Sequence, residues 1–320
     1  MTKKNKTCFD IFLQSVGLYF SNADKFLQYM LYPVFGQLLG IIIIYYSIMF
    51  YDKNLTALLV NYPVLNTDLY KNLILFVVLI PGLFIYISAL WKYWVAHASV
   101  NSMTDNLLKS DRVYDLPAHT MLVTRRWFPY LCLCILYGVI ISLTTLPIFW
   151  IIGGILLVYF TFVFQVFVFE EDLSPIDCFK KSSVYVQGNF KKVFTLILLL
   201  GTLTYCIIPH IMYTFLTVIK VNAFLTEFVS EGIQTSSLYN INIMLSAMNH
   251  APVEPLDISK LIVAVVIYKI IIQMLLPLRT ICMCLWYKTY CNDNDVVKQV
   301  DKKFMNRVNK EVKRRKKYKD

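Results

Sequence analysis

The sequence predicts an all-α polytopic membrane protein: six transmembrane helices plus interfacial amphipathic helices, with both termini cytoplasmic. Three observations lead there. Of 320 residues, 58% are apolar and 16% are charged, against roughly 45–50% and 25% in a soluble domain. Mean hydropathy is +0.57, more apolar area than a soluble core of this length can bury. The apolar runs are also continuous and of bilayer length. A hydrocarbon core of ~30 Å takes ~20 residues of helix, and in lipid each segment must satisfy its own backbone groups. The alternating pattern of a transmembrane barrel is absent.

Taken in order, the spans fall at about 26–50, which contains Ile41 to Ile44, and at 73–95. Two more, at 128–146 and 148–169, form a tight hairpin, and the last two lie at 193–219 and 259–287. Lys and Arg in the connections set the orientation. The arm to Lys25, the 96–127 connection, the 170–192 connection and the tail from Lys288 hold 24 basic residues. The opposite side holds 4: Lys53, Lys71, Lys220 and Lys260. All five Trp fall near span ends, as an aromatic belt requires. The first apolar run starts too late and is too long for a cleavable signal peptide. The chain divides into a cytoplasmic arm with an interfacial helix (1–25), a six-helix membrane domain (26–287) and a basic cytoplasmic tail (288–320).

Phe9, Phe12, Leu13, Val16 and Phe20 recur at helical spacing before the first span, and Ile176, Phe179, Val186 and Phe190 before the fifth. Such stretches lie in the interface. Sliding one onto the other aligns Asp10 with Asp177, Phe12 with Phe179, Ser15 with Ser182, Asn22 with Asn189 and Lys25 with Lys192. With the segment 96–127 this gives three copies of one unit, an interfacial helix followed by a hairpin, or a shared preference of interfacial helices for aromatics, Ser and Lys. In the outer connection, Ala223 to Val229 form a short helix. The tail has twelve basic and five acidic residues. Its Val297, Val300, Phe304, Val308 and Val312 make a basic amphipathic helix suited to anionic headgroups, at ~1 kcal/mol per basic residue.

The stretch from Phe169 through Glu170, Glu171, Asp172, Ser174, Pro175, Asp177, Lys180 and Lys181 to Ser183 leads through Gln187-Gly-Asn-Phe-Lys-Lys192 into the fifth span. Ser174 reads as an N-cap with Pro175 at the first helical position, and Asp177 as a charge at the positive end of the dipole. The three acidic residues sit outside the core, hydrated. This pattern, with Leu146-Pro147 and Gly153-Gly154 in the preceding hairpin, resembles the YciC-like bacterial inner-membrane family and the membrane domain of some glycerophosphodiester phosphodiesterases. The resemblance covers 130–288. It implies six helices with both termini inside and carries no activity, since no phosphodiesterase catalytic domain is present.

Charged groups inside a span are costly and point to function. The sixth span carries Lys269, Gln273 and Arg279. Gln273 shares a face with Lys269, and Thr280 returns to it on an unbroken helix. No Asp or Glu lies within a span to neutralise Lys269, so its partners are Gln37, Gln165, His210, a Tyr hydroxyl, freed carbonyls near Pro277 or a bound anion. The candidate ligand-binding residues are Lys269, Gln273, Arg279, His210 and Gln165. Pro209-His210 is a place for a span to unwind beside a polar site. The Cys-x-Cys pairs Cys132/Cys134 and Cys282/Cys284 do not face one another on a helix. No phosphate-binding loop, dinucleotide fingerprint, nucleophile elbow or metalloprotease spacing occurs. No catalytic residue, cofactor or metal is implied.

The expected function is therefore non-enzymatic. The chain reads as a multi-pass protein of the bacterial cell membrane that organises lipid or partner proteins. Its partners are anionic membrane lipids and a protein partner or second copy, without nucleic acid. The alternative is a transporter or channel for a small anionic solute with Lys269 in the path.

Overall fold

The computed structural model describes residues 7–62, 66–110, 116–170, 173–233, 238–248 and 250–291. The tail's amphipathic run, Glu171, Asp172, Arg112 and the lysines before Thr7 lie outside them. Fourteen α-helices follow one another, and no strand occurs among the described residues: α1 (Cys8–Ser21), α2 (Ala23–Asn61), α3 (Asp68–Ser110), α4 (Leu116–Thr124), α5 (Trp127–Leu143), α6 (Trp150–Tyr159), α7 (Val163–Phe169), α8 (Pro175–Val186), α9 (Phe190–Gly201), α10 (Ile208–Val218), α11 (Val221–Gly232), α12 (Tyr239–Ala247), α13 (Pro255–Met274) and α14 (Leu276–Trp286).

Five stretches are long and apolar enough to cross a membrane: Ala23–Tyr51, Asp68–Lys109, Pro147–Phe169, Phe190–Val218 and Pro255–Thr289. A sixth arises if α4 and α5, bent by 79° at their junction, count as one span. The chain is a multi-pass membrane protein by this measure. Two helices outrun the expected spans. α2 has 39 residues and α3 has 43, so at 1.5 Å per residue both reach about twice the thickness of a hydrocarbon core. The segment 96–110, expected to belong to an interfacial helix, is the continuation of α3.

The contacts divide the chain into two compact units, one of 1–29, 94–199 and 277–320, the other of 30–93 and 200–276. In the first, three short helices α1, α4 and α8 each precede a longer apolar stretch, and all three share a register. Ser15, His119 and Ser182 are buried at one position; Tyr19, Val123 and Val186 at the next turn; and Phe26, Tyr130 and Val193 just past the elbow. The caps repeat too. Asp10 N donates to Thr7 Oγ1 (3.2 Å) and Asp177 N to Ser174 Oγ (3.2 Å). The polar member of each copy meets the second arm of the preceding hairpin in cyclic order. Ser15 lies beside Cys282 of α14, His119 Nδ1 lies 2.9 Å from Ser102 Oγ of α3, and Ser182 reaches the α6–α7 junction.

That junction shows why a hydroxyl is needed. Helix stops at Tyr159 and resumes at Val163, which strands backbone groups. Ser182 Oγ donates to Tyr159 O (2.8 Å) and accepts from Phe162 N (3.1 Å). In the second unit α2 and α3 touch backbone to backbone. A Cβ on Gly40 would stand 2.7 Å from Tyr86 N, and one on Gly82 2.7 Å from Ile44 Cγ1, so both positions exclude larger residues. α11, the expected outer helix, starts from the left-handed Lys220 (φ 64°) and packs on α10 and α13. Asn222 Nδ2 secures that turn through Tyr213 O (3.2 Å) and Thr217 Oγ1 (2.6 Å).

Replacing Ser182 by Ala leaves Phe162 N–H and Tyr159 C=O without their hydroxyl, which costs about 1–3 kcal/mol for a buried group. Thermal unfolding of the detergent-solubilised protein is expected to show a lower midpoint for Ser182→Ala and a near-native one for Ser182→Thr.

Candidate functional site

Of the five residues singled out from the sequence, three lie in the second unit and two in the first. In the second, Lys269 sits on α13 near the middle of the 35-residue stretch Pro255–Thr289. It is half-buried, its Nζ 5.5 Å from the centre of the Tyr86 ring, an approach that a cation gains from electrostatically. Among the described residues the ion pairs do not include Lys269.

Gln273 shares the Lys269 face, as its four-residue spacing demands. It is buried and donates from Nε2 to Gln37 Oε1 (3.0 Å). Gln37 in turn donates to Pro33 O (2.8 Å). Gln37 therefore bonds Gln273 rather than Lys269.

His210 is exposed on α10, with Nδ1 3.2 Å from Tyr268 Oη. The break at Pro209 takes the form of a π-helical segment, Thr202–Ile207, closed by Thr204 Oγ1 donating to Leu200 O (2.7 Å). Lys269, Gln273 and Tyr268 line a groove of about 520 Å³ with Ala264, Val265 and Ile272.

In the first unit, Gln165 is buried and donates to Asn101 Oδ1 (3.1 Å). Arg279 is half-buried within electrostatic reach of His97. Thr280 does not continue the face of Lys269. The helix is interrupted at Leu275 ahead of Pro277, and Thr280 belongs to α14.

The first unit also holds a polar cluster that the sequence did not disclose. Glu170, expected to be hydrated, is largely enclosed. It pairs with Lys181 and its Oε1 accepts from Tyr185 Oη and Tyr287 Oη, both 2.8 Å away. Next to it Lys288 Nζ reaches Asp105 Oδ1 (2.5 Å) and lies 4.3 Å over the Phe169 ring. Lys109 holds the other oxygen of Asp105 (2.9 Å). Arg126, at the elbow before α5, donates to Phe167 O (3.3 Å) and Leu173 O (3.0 Å). These contacts tie the ends of α3, α7 and α14 to α8. The only signal in the sequence was the run of charges flanking span ends, which gives no pairing.

At the start of α8 the Ser174 hydroxyl donates to Asp177 Oδ2 (2.6 Å), and Lys180 lies 3.2 Å from Oδ1. These contacts, the hydroxyl first, hold the Asp177 carboxyl below its ordinary range against the opposing effect of partial burial. Burial pushes the Cys178 thiol up to about 12, so it is a poor nucleophile. Among the described residues no group of three His, Cys, Asp or Glu is placed to hold a metal ion. No family model, curated protein or solved structure matches the chain.

Two outcomes are expected. Glu170→Ala leaves Lys181 and two tyrosine hydroxyls facing one another without their acceptor and costs about 3–5 kcal/mol, the loss seen when one partner of a buried pair is removed. Glu170→Gln, which keeps an acceptor, falls between; denaturant titration in micelles measures both. The Asp177 contribution has the opposite sense to a histidine's. A lowered folded pKa gives stability above the unfolded carboxylate value near 4 that is lost as pH falls through the folded value. Hydrogen exchange at the first turn of α8 should speed up in that acid range, and Asp177→Asn should flatten the dependence.

Proposed function

We propose that the protein is a non-enzymatic component of a bacterial inner membrane, with six spans and both termini in the cytoplasm, that gathers anionic lipid at the inner face. The observation that carries this reading is the outward side of the three short helices. α1 has 14 residues, about 21 Å, too short for a span. While burying Ile11, Ser15 and Tyr19 it leaves Phe9, Leu13 and Phe20 52–68% exposed. α4 presents Met121 and Leu122 in the same way, the start of α5 Trp127 and Phe128, and α8 Ile176. An apolar outer face on a helix that cannot cross the bilayer is suited to the boundary between headgroups and acyl chains.

Each of these helices is followed at its elbow by exposed basic residues: Lys25, Arg125, and Lys191 with Lys192. Cations at the headgroup level beside inserted aromatics draw anionic lipid at ~1 kcal/mol each, and the twelve basic residues of the tail add to the same field. The charge asymmetry of the connections supports the orientation, and the acidic–Ser–Pro–Asp pattern before α9 supports kinship with the YciC-like proteins.

The test uses a variant in which Trp127 is the sole tryptophan, reconstituted with brominated phosphatidylglycerol or brominated phosphatidylcholine. Stronger quenching by the anionic lipid is expected, falling to parity when Lys25, Arg125, Lys191 and Lys192 are all changed to Gln and residues 292–320 are removed. Equal quenching by both lipids in the unaltered chain removes the proposal.

A further inference from the structure

The groove at Lys269 belongs to other elements than those just discussed, and it has a chemistry of its own. Its wall is apolar along Ala264, Val265 and Ile272. It opens outward where Val265 is 58% exposed, so access is sideways from the surrounding apolar phase. The space before this face is about 520 Å³ and open on one side.

Its polar groups differ in what they have left to offer. The Gln273 amide nitrogen is engaged with Gln37, and the Tyr268 hydroxyl with His210. Lys269 has three donors and a full charge, a ring face on one side at Tyr86, and no carboxylate paired to it among the described residues. A cation so placed in a span asks for an anion.

We propose that this groove binds a single long-chain fatty acid, its carboxylate against Lys269 Nζ and its chain along Ala264 and Val265. Charge and shape both select that occupant. One ammonium balances one carboxylate, whereas a phosphate monoester would bring surplus charge into a low-dielectric site. A two-chain phospholipid asks more of an acyl groove than one narrow wall on α13 provides. A fatty acid also has a route in. It crosses hydrocarbon as the neutral acid and, on pairing with the ammonium, gives up its proton to water, so no naked charge is carried through lipid. Ile272 and Tyr268 flank the headgroup position, and Ala264, the smallest side chain of the wall, leaves the space the chain occupies.

The experiment uses the full chain in phosphatidylcholine nanodiscs and a palmitic acid analogue with a photoactivatable group in its chain. Adducts are expected in the peptide 261–273, displaced by palmitate and reduced at least about tenfold, some 1.4 kcal/mol, in Lys269→Met and in Ala264→Phe. The second variant fills the groove and keeps the charge, and Lys269→Arg should retain labelling. Elution profile and unfolding midpoint show that each variant is folded. Three outcomes overturn the proposal: adducts spread evenly over the spans, labelling of 261–273 unchanged in the folded Lys269→Met and Ala264→Phe proteins, or displacement by lysophosphatidate or inorganic phosphate at lower concentration than by palmitate.

Discussion

Every break in the helices of this chain has to be closed by the chain itself. A backbone N–H or C=O freed inside lipid finds no water, and leaving it bare costs several kcal/mol. At several places the structure answers with a short polar side chain. Ser182 closes the α6–α7 junction, and Thr204 takes the carbonyl beside the π-helical segment. Asn222 secures the left-handed turn at Lys220. Asn242 brackets Val253 from both sides, at 2.8 and 3.2 Å, just before α13 starts. At these places the break and the short polar side chain are one feature seen twice. Their positions fix where a helix bends, and so where Lys269, His210 and Tyr268 stand.

The same constraint governs the charged groups of the first unit. Glu170 and Lys181 are both largely withdrawn from water, 17% and 12% exposed as side chains. A buried pair repays its desolvation only when the remaining hydrogen-bonding capacity is met. Tyr185 and Tyr287 meet it on the acid's side. Asp105 is treated likewise by Lys109 and Lys288. Both clusters hold the end of α14, the point from which the basic tail departs.

The apolar stretches and the short helices α1 and α8 before two of them were legible because both depend on local sequence alone. A run of apolar residues and a 3.6-residue spacing need no knowledge of partners. The cap of α8 was legible for the same reason, as Ser174, Pro175 and Asp177 act within one turn. Long-range pairing was not legible. Glu170 reads as one of three hydrated acids until Tyr287, far along the chain, is brought to it. The interruption at Leu275 detached Thr280 from the face of Lys269, although Pro277 was in view, because the pattern does not say whether a proline kinks a helix or divides it. Gln165 and Arg279 were grouped with Lys269 on polarity, and the contacts put them in a different unit. Only the Lys269–Gln273 pairing, set by helical spacing, carried over intact.

The repeated register explains more than shared ancestry would. Ser15, His119 and Ser182 occupy one position in three copies, yet they do different work. Ser182 closes a broken span, His119 meets a hydroxyl on an unbroken one, and Ser15 returns its proton to Ile11 O (2.6 Å) on its own helix. All three sites are enclosed, and in each the polar group finds a partner. The apolar side is then free to face outward, and the elbow that follows carries the cations. Each short helix thus pairs a buried polar group with an exposed apolar side and a basic residue at the elbow that follows, an arrangement suited to a charged lipid surface.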